Sequence, residues 1–293
     1  MLTQGSPLSP GAFLSQIQPM RGSYTSVAPA EDGIPPLFGQ VNYRLGERSA
    51  RAAFITPENA TILSALPLLL EDMARQSGEW GAYHLLAEMD ENSPAFEAFR
   101  RAGFSVFAWQ RIWKLPEITA SKPPESDWAP ADLEQENSIR SLFLSLVPPL
   151  VLAAEPASIH TFQGLVCAQK GEVVAYVDVE FGPRGIYVKP LFHPDAVDVD
   201  CLIHALATTL PNQSGRPVYL AVRSYQSWLE NGLQELGAEA APRQAVLVKH
   251  LIVRQRSLAR ERSLPALEQR RVEPSAPMAR VEPAKSLFPE GRG

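Results

Sequence analysis

The chain is poor in the residues that most often carry visible chemistry. Its 293 residues include two cysteines, Cys167 and Cys201. That is too few for a disulfide framework or a cysteine zinc site, and both read as small buried residues in a reducing cytosol. The five histidines, His84, His160, His193, His204 and His250, are scattered. None stands at ligand spacing from another histidine or a cysteine, so no metal site is expected. Gly-x-Gly-x-x-Gly, the Walker loop and Gly-x-Ser-x-Gly are all missing, which removes the common dinucleotide, nucleotide and serine-hydrolase signatures. A net charge of −5 gives no basic footprint for nucleic acid. The longest apolar stretches, 62–70 and 142–154, contain proline and fall far short of the ~20 residues that span a bilayer. No basic segment followed by an apolar run opens the chain, so neither a signal peptide nor a membrane span is expected, and the cytoplasm is the expected location.

What the sequence does have is a repeat. Asn92-Ser93-Pro94-Ala95-Phe96-Glu97-Ala98-Phe99-Arg100-Arg101-Ala102-Gly103-Phe104 precedes an apolar run from Ser105 to Leu115. Gln226-Ser227-Trp228-Leu229-Glu230-Asn231-Gly232-Leu233-Gln234-Glu235-Leu236-Gly237-Ala238 precedes another from Gln244 to Val253. Each reads as a short amphipathic helix, a glycine stop and a strand. The two glycines lie 134 positions apart (237 − 103). A strand ending in Pro57 and another ending in Pro194 lie 137 apart (194 − 57). Two landmarks in one order at nearly one offset indicate a duplicated module. The length, at ~150 residues per domain, agrees.

The remaining pattern divides the chain. Residues 1–36 are rich in Pro, Gly and Ser and are expected to be irregular, with a short helix at Ala12 to Ile17. A first module, 37–116, opens with a hairpin turning at Gly46 and continues with a helix over 62–76, a strand over 82–89, a helix over 94–102 and a strand over 104–115. Residues 117–130, with Pro123-Pro124, read as a linker. A second module, 131–253, opens with a helix broken at Pro148-Pro149. Strands at 164–169, 173–181 and 186–192 follow, then a helix over 198–209, a strand at 218–222, a helix over 228–236 and a strand over 245–253. Residues 254–293 are dominated by Pro, Glu, Arg and Ser and are expected to be disordered.

This order resembles that of the GNAT acetyltransferase superfamily, and the first module's Asn92-x-x-Ala95-x-x-x-Phe99-x-x-x-Gly103-Phe104 is similar to the family's Asn-x-x-Ala-x-x-x-Tyr-x-x-x-Gly-Phe. The resemblance implies an α+β fold of two tandem GNAT-like modules, each a mixed, mainly antiparallel sheet flanked by helices. It also implies acyl transfer from acetyl-CoA to an amine on a small molecule or protein. In such a fold the backbone N–H groups near Phe54-Ile55, or near Phe192-His193, would polarise the thioester carbonyl. Asn92 would face the cofactor; it also reads as a helix N-cap.

The family's phosphate loop, Arg-Gly-x-Gly-x-Gly or Ala, is replaced. Ala60, Thr61, Leu63 and Ala65 stand in the first copy, and Val197, Asp198, Asp200 and Leu202 in the second. Side chains there keep phosphates from the backbone, and the acids of the second loop repel them. Phe99 and Leu233 hold the places of the family's proton-donating tyrosine, so no catalytic residue is assigned. Tyr225, Glu180 and His193 remain substitutes in principle. The competing expectation is a non-catalytic scaffold that kept the fold and lost the cofactor. A third places one ligand site between the modules, on Trp109, Arg111 and Trp113.

Overall fold

The computed structural model describes residues 21–29, 35–58, 65–117, 128–156, 164–210 and 216–251. The expected helix at 12–17 and the tail at 254–293 lie outside them. The first strands are β1 (Arg21–Ala28), β2 (Leu37–Arg44) and β3 (Ser49–Thr56). Helix α1 (Ala65–Glu79), β4 (His84–Asp90), α2 (Phe96–Arg101) and β5 (Ser105–Lys114) complete the first half. The second half runs β6 (Trp128–Pro130), α3 (Glu136–Leu146), α4 (Pro149–Ala154), β7 (Gly164–Gln169), β8 (Glu172–Phe181) and β9 (Ile186–Phe192). It ends with α5 (Val199–Thr209), β10 (Val218–Arg223), a 3-10 turn at Ser224–Gln226, α6 (Leu229–Glu235) and β11 (Glu239–His250).

Hydrophobic periodicity places most of these elements. In α1 the buried residues Leu66, Leu69, Leu70 and Met73 recur at helical spacing, and Pro67 sits in the opening turn, where a missing N–H costs least. The turn before β3 needs Gly46, whose φ is +88°. Four expectations change. The segment 1–36 is not wholly irregular, because β1 lies in it and pairs antiparallel with β2. The linker of 117–130 ends in β6, where Trp128 is buried and its Nε1 donates to the Leu202 carbonyl at 2.9 Å. Pro148-Pro149 ends α3 but also starts α4, with Pro149 as the first helical residue. Finally, β11 begins well before residue 245, carrying Pro242 at the register shift between Ala240 and Arg243, the kind of place a strand tolerates proline.

All eleven strands form one sheet, in the order β1-β2-β3-β4-β11-β5-β10-β9-β8-β7-β6. The two modules therefore share a sheet, and their last strands are interleaved. The second module's β11 pairs with the first module's β4, while the first module's β5 pairs with the second module's β10. At the centre β5 and β11 pair antiparallel, with Gln110 opposite Gln244. The sequence offsets recur as register. The parallel pair Ser49↔His84 of β3–β4 is matched by Ile186↔Val218 of β9–β10. Ile186 lies 137 positions after Ser49 (186 − 49) and Val218 lies 134 after His84 (218 − 84). The duplication is thus built into the strand pairing around an approximate two-fold at Gln110 and Gln244.

Three apolar clusters cover this sheet. One joins α1 and α2 to β2–β4 and β11, a second joins α5 and α6 to β8–β10, and a third packs α3 and α4 on the strand face that carries Leu86, Ala108 and Val246. Helices α3 and α4 serve both modules. Although they belong to the second, the Ser49 hydroxyl of the first donates to the Ala154 carbonyl at 2.7 Å. No separate copy of that helix pair stands among the described residues of the first module.

Candidate functional site

In each module the parallel strands pair for only three residues and then separate. In the first, β3 and β4 part after Arg51 and Leu86. In the second, β9 and β10 part after Val188 and Leu220. Each parting leaves a cleft bordered by an unpaired strand edge, whose N–H and C=O groups need partners.

The second cleft supplies its own. Gln226 is buried to 2 % exposure. Its Oε1 accepts from the Phe192 N–H at 2.9 Å and its Nε2 donates to the Pro190 carbonyl at 3.0 Å. One carboxamide thus completes the edge of β9, and Phe192, expected to polarise a bound carbonyl, has its N–H committed. The loop beyond it is filled in the same way. Gln169 accepts from the Val197 N–H and donates to the Val197 carbonyl, both at 3.0 Å. The Asp195 N–H donates to Nδ1 of His193 at 3.2 Å. Asp198 holds a left-handed backbone (φ +53°) at the start of α5, and Asp200 lies in the helix's opening turn.

The first cleft differs. Phe54 and Ile55 are half-buried, and among the described residues no side chain is hydrogen-bonded to their backbone edge. A bulge between Gln40 and Val41 leaves Ala53 as the extra residue of β3, locally turning the strand's polar groups. No register shift interrupts β8–β9 in the second module. Ala60, Thr61 and Leu63 lie outside the described residues. Asn92 is exposed, and its own N–H donates to Asp90 at 2.8 Å. It does not cap α2: the Ser93 hydroxyl accepts from Ala95 there, at 3.3 Å. Phe99 is buried against Phe104, and Leu233 is fully buried, so neither place offers a proton donor.

Beside the first cleft lies a charged trough that sequence spacing did not reveal. Glu155, just after α4, accepts from Arg51 of β3 at 2.6 Å and from Arg223 of β10 at 2.8 Å. Burial opposes ionisation of Glu155, but Arg223 and Arg51 outweigh it and hold the carboxyl down to about 2. Burial also opposes charge on the two arginines, and Glu155 and Glu88 outweigh it, raising both. Glu88 of β4 accepts from Gln110 Nε2 at 2.9 Å, and its other oxygen stands 3.9 Å from both Arg51 and Arg223. Lys189 of β9 pairs with Glu180 of β8 at 2.9 Å. Arg44 of β2 and Arg51 both act on Asp178 of β8, although six strand steps of ~4.8 Å separate β3 from β8 in the sheet order.

The other substitutes are placed differently. Tyr225 packs on the third apolar cluster, and burial pushes its phenol up to about 12. Trp113 is fully buried, whereas Trp109 and Arg111 line a cavity of about 230 Å³ with Arg243 and Glu230. The Arg243 guanidinium covers the Trp109 ring at 4.2 Å, and Arg111 pairs with Glu230 at 2.9 Å. His84 and His250, 166 positions apart, meet through the β4–β11 register with their Nδ1 atoms 3.1 Å apart. No group of three metal-ligating side chains occurs among the described residues, and no described helix is long and apolar enough to cross a membrane.

Comparison with known proteins locates the fold. No family model matches the chain, and no curated protein matches it. Among solved structures, a GCN5-related N-acetyltransferase from Kribbella flavida superposes with a TM-score of 0.52 at 14 % identity, covering 82 % of this chain and 93 % of that one. A tandem GNAT protein from the clavulanic acid biosynthesis pathway gives 0.46 at 13 % identity, covering 79 % and 84 %. A functionally unknown conserved protein from Staphylococcus epidermidis gives 0.46 at 12 % identity, covering 70 % and 85 %. With the strand order, the parted parallel strands and the duplicated register already in place, the chain has the fold of the GNAT superfamily, built from two modules in tandem.

Proposed function

We propose that this protein is an N-acyltransferase that takes its acyl group from acetyl-CoA, with the cleft of the first module as its working site and the second module as a structural half. The observation that carries the reading is the contrast between the clefts: Gln226 completes the strand edge in the second, and among the described residues no side chain is hydrogen-bonded to the edge at Phe54 and Ile55 in the first. Bound there, acetyl-CoA supplies an activated thioester. The amide groups of Phe54 and Ile55 orient its carbonyl and stabilise the charge that develops on oxygen. Asn92 belongs to the same cleft mouth, at the end of β4. Glu88, two residues beyond the last residue that β4 pairs with β3 and one-third exposed, takes the proton that the incoming amine must lose. A C–N bond forms as the C–S bond breaks, and the sulfur leaves with a proton from solvent. A cytoplasmic location belongs to this reading.

The second reading, a scaffold without chemistry, is favoured by the filled loop and edge of the second module. Calorimetric titration of the full chain with acetyl-CoA, joined to hydrogen exchange by peptide, separates the two. Micromolar binding with protection confined to 51–58 and 84–92 supports the enzyme. No heat up to millimolar cofactor leaves the scaffold, and protection at 186–197 instead would move the site to the second module.

A further inference from the structure

The trough beside the first cleft carries two buried, unmet hydrogen-bond demands next to a carboxylate that is one-third exposed. Gln110 is 2 % exposed and its Oε1 has no partner. Glu88 sets the amide orientation: Nε2 donates to its carboxylate and to Gln244 Oε1, both at 2.9 Å, and turned over the Gln110 oxygen would face a carboxylate that can only accept. Arg223 pairs across the strands with Gln110, is nine-tenths buried, and its Nη1 has no partner. Glu88 Oε1 stands 3.9 Å from two guanidiniums, too far for a hydrogen bond to either, on a side chain that is one-third exposed and so reachable from solvent. Leaving the two buried groups unmatched is costly. Together with Glu88 they are complementary to one kind of molecule. Two acceptors, one of them a carboxylate, suit an ammonium with three N–H groups. A guanidinium N–H held beside them suits a carboxylate a few atoms away.

The geometry points to an acceptor amine that carries its own carboxylate, an amino acid or a molecule ending in one. Its ammonium lies on Glu88 and Gln110, and its carboxylate on Arg223 with Arg51 at the rim. The assignment rests on the acyltransferase reading for what happens next, but not for binding. Arg51, 42 % exposed, leaves the trough open on the β3 side. Glu155 holds both arginines in place, so the pocket is charged correctly before anything enters. The ammonium would reach Glu88 inside the first cleft, where its proton must be removed. Net charge in the trough stays balanced on binding a zwitterion, whereas a simple amine would leave Arg223 unmatched and a simple acid would leave Glu88 so.

The test uses the full chain and matched probes: the common amino acids, each against the amine it becomes on decarboxylation. Thiol release from acetyl-CoA is followed for each, and calorimetry without acetyl-CoA measures binding alone. At least one amino acid should exceed its decarboxylated partner by about tenfold or more in kcat/KM, the worth of one charge-assisted hydrogen bond. Arg223→Lys keeps a positive charge toward Glu155 and removes Nη1; it should lower kcat/KM for the amino acid and leave that for the amine. A Gln110→Leu change tests the ammonium side and should weaken both. Amines accepted as well as amino acids, equal losses in Arg223→Lys, or no binding of any probe would overturn the assignment. Amino-acid binding with no response to acetyl-CoA would retain this inference and remove the acyltransferase.

Discussion

The two modules share a sheet, a register and a pair of parting strands, yet they treat the parting differently. In the second, glutamine carboxamides occupy the places where backbone groups face the gap: Gln226 on β9 and Gln169 on the following loop. In the first, a bulge at Ala53 turns the edge and no described side chain closes it. A carboxamide presents an NH2 donor group and a carbonyl acceptor side by side, the kinds of partner that an unpaired strand edge lacks. One substitution to glutamine can therefore satisfy an open strand edge as well as a ligand does. The duplicated clefts keep one backbone geometry and differ in the described side chains that complete the strand edge.

The contrast yields predictions, taken from the largest expected effect to the smallest. The first concerns Glu155, on which the first module's Arg51 and the second module's Arg223 converge. Glu155→Gln should cost about 3 kcal/mol in urea unfolding, the low end for breaking a buried ion pair because Arg51 is partly exposed. The folded-state pKa of Glu155 lies below its unfolded value, so its stabilisation is full above about pH 5. It is lost as pH falls toward about 2. The variant should unfold with a flatter acid limb; an unchanged limb would mean the bridge is idle. Second, acetyl-CoA at a hundredfold excess over its Kd should slow exchange of the β3 edge amides by roughly two orders of magnitude while β9 is unmoved. Equal slowing on both strands would erase the contrast between the clefts.

Third, Gln226→Ala strips both partners from the β9 edge and should cost about 2 kcal/mol, read from the denaturation midpoint. Its acetyl-CoA affinity should stay within error of wild type; a gain would show that the second cleft is a suppressed site. The smallest effect is expected where the second module's β11 meets the first module's β4. Burial, then His250, lowers the pKa of His84, so this contact contributes above pH 6.5 and fades as pH drops below it. Solvent screens this largely exposed contact, so the loss should be no more than about 0.5 kcal/mol between pH 7.5 and 5.5, and it should vanish in His84→Phe. The second module holds Val218 at the matching position and should show no such step.

Much of the architecture was legible because period and offset are local or additive signals. The strand at 186–192 appears at those bounds, and the 134 and 137 offsets reappear as strand register. β1 was hidden because Gly22, Ser23 and Ser26 interrupt its apolar alternation. The start of β11 was hidden by Pro242, which a bulge accommodates. The interleaving of β5 and β11 had no local signature, since nothing in either strand names its neighbour. The site suffered most from this. Arg51, Glu88, Gln110, Glu155 and Arg223 come from β3, β4, β5, the end of α4 and β10, and no motif spans them. Gln226 stood in the repeated segment all along, but a glutamine before a helix gives no hint that it fills a strand edge.

The interleaving also governs how the chain is made. β4 leaves the ribosome with one flank assigned to β11, whose residues are synthesised after a delay. From Lys114, the end of β5, to Glu239, the start of β11, translation at ~5–20 residues per second takes roughly 6–25 seconds. Through that interval the nascent first half carries two bare strand flanks, each long enough to template the wrong partner. Newly made chains thus have a window in which two neighbours on one messenger could trade their final strands. The charged trough, with its arginines and glutamates, assembles only when that window closes.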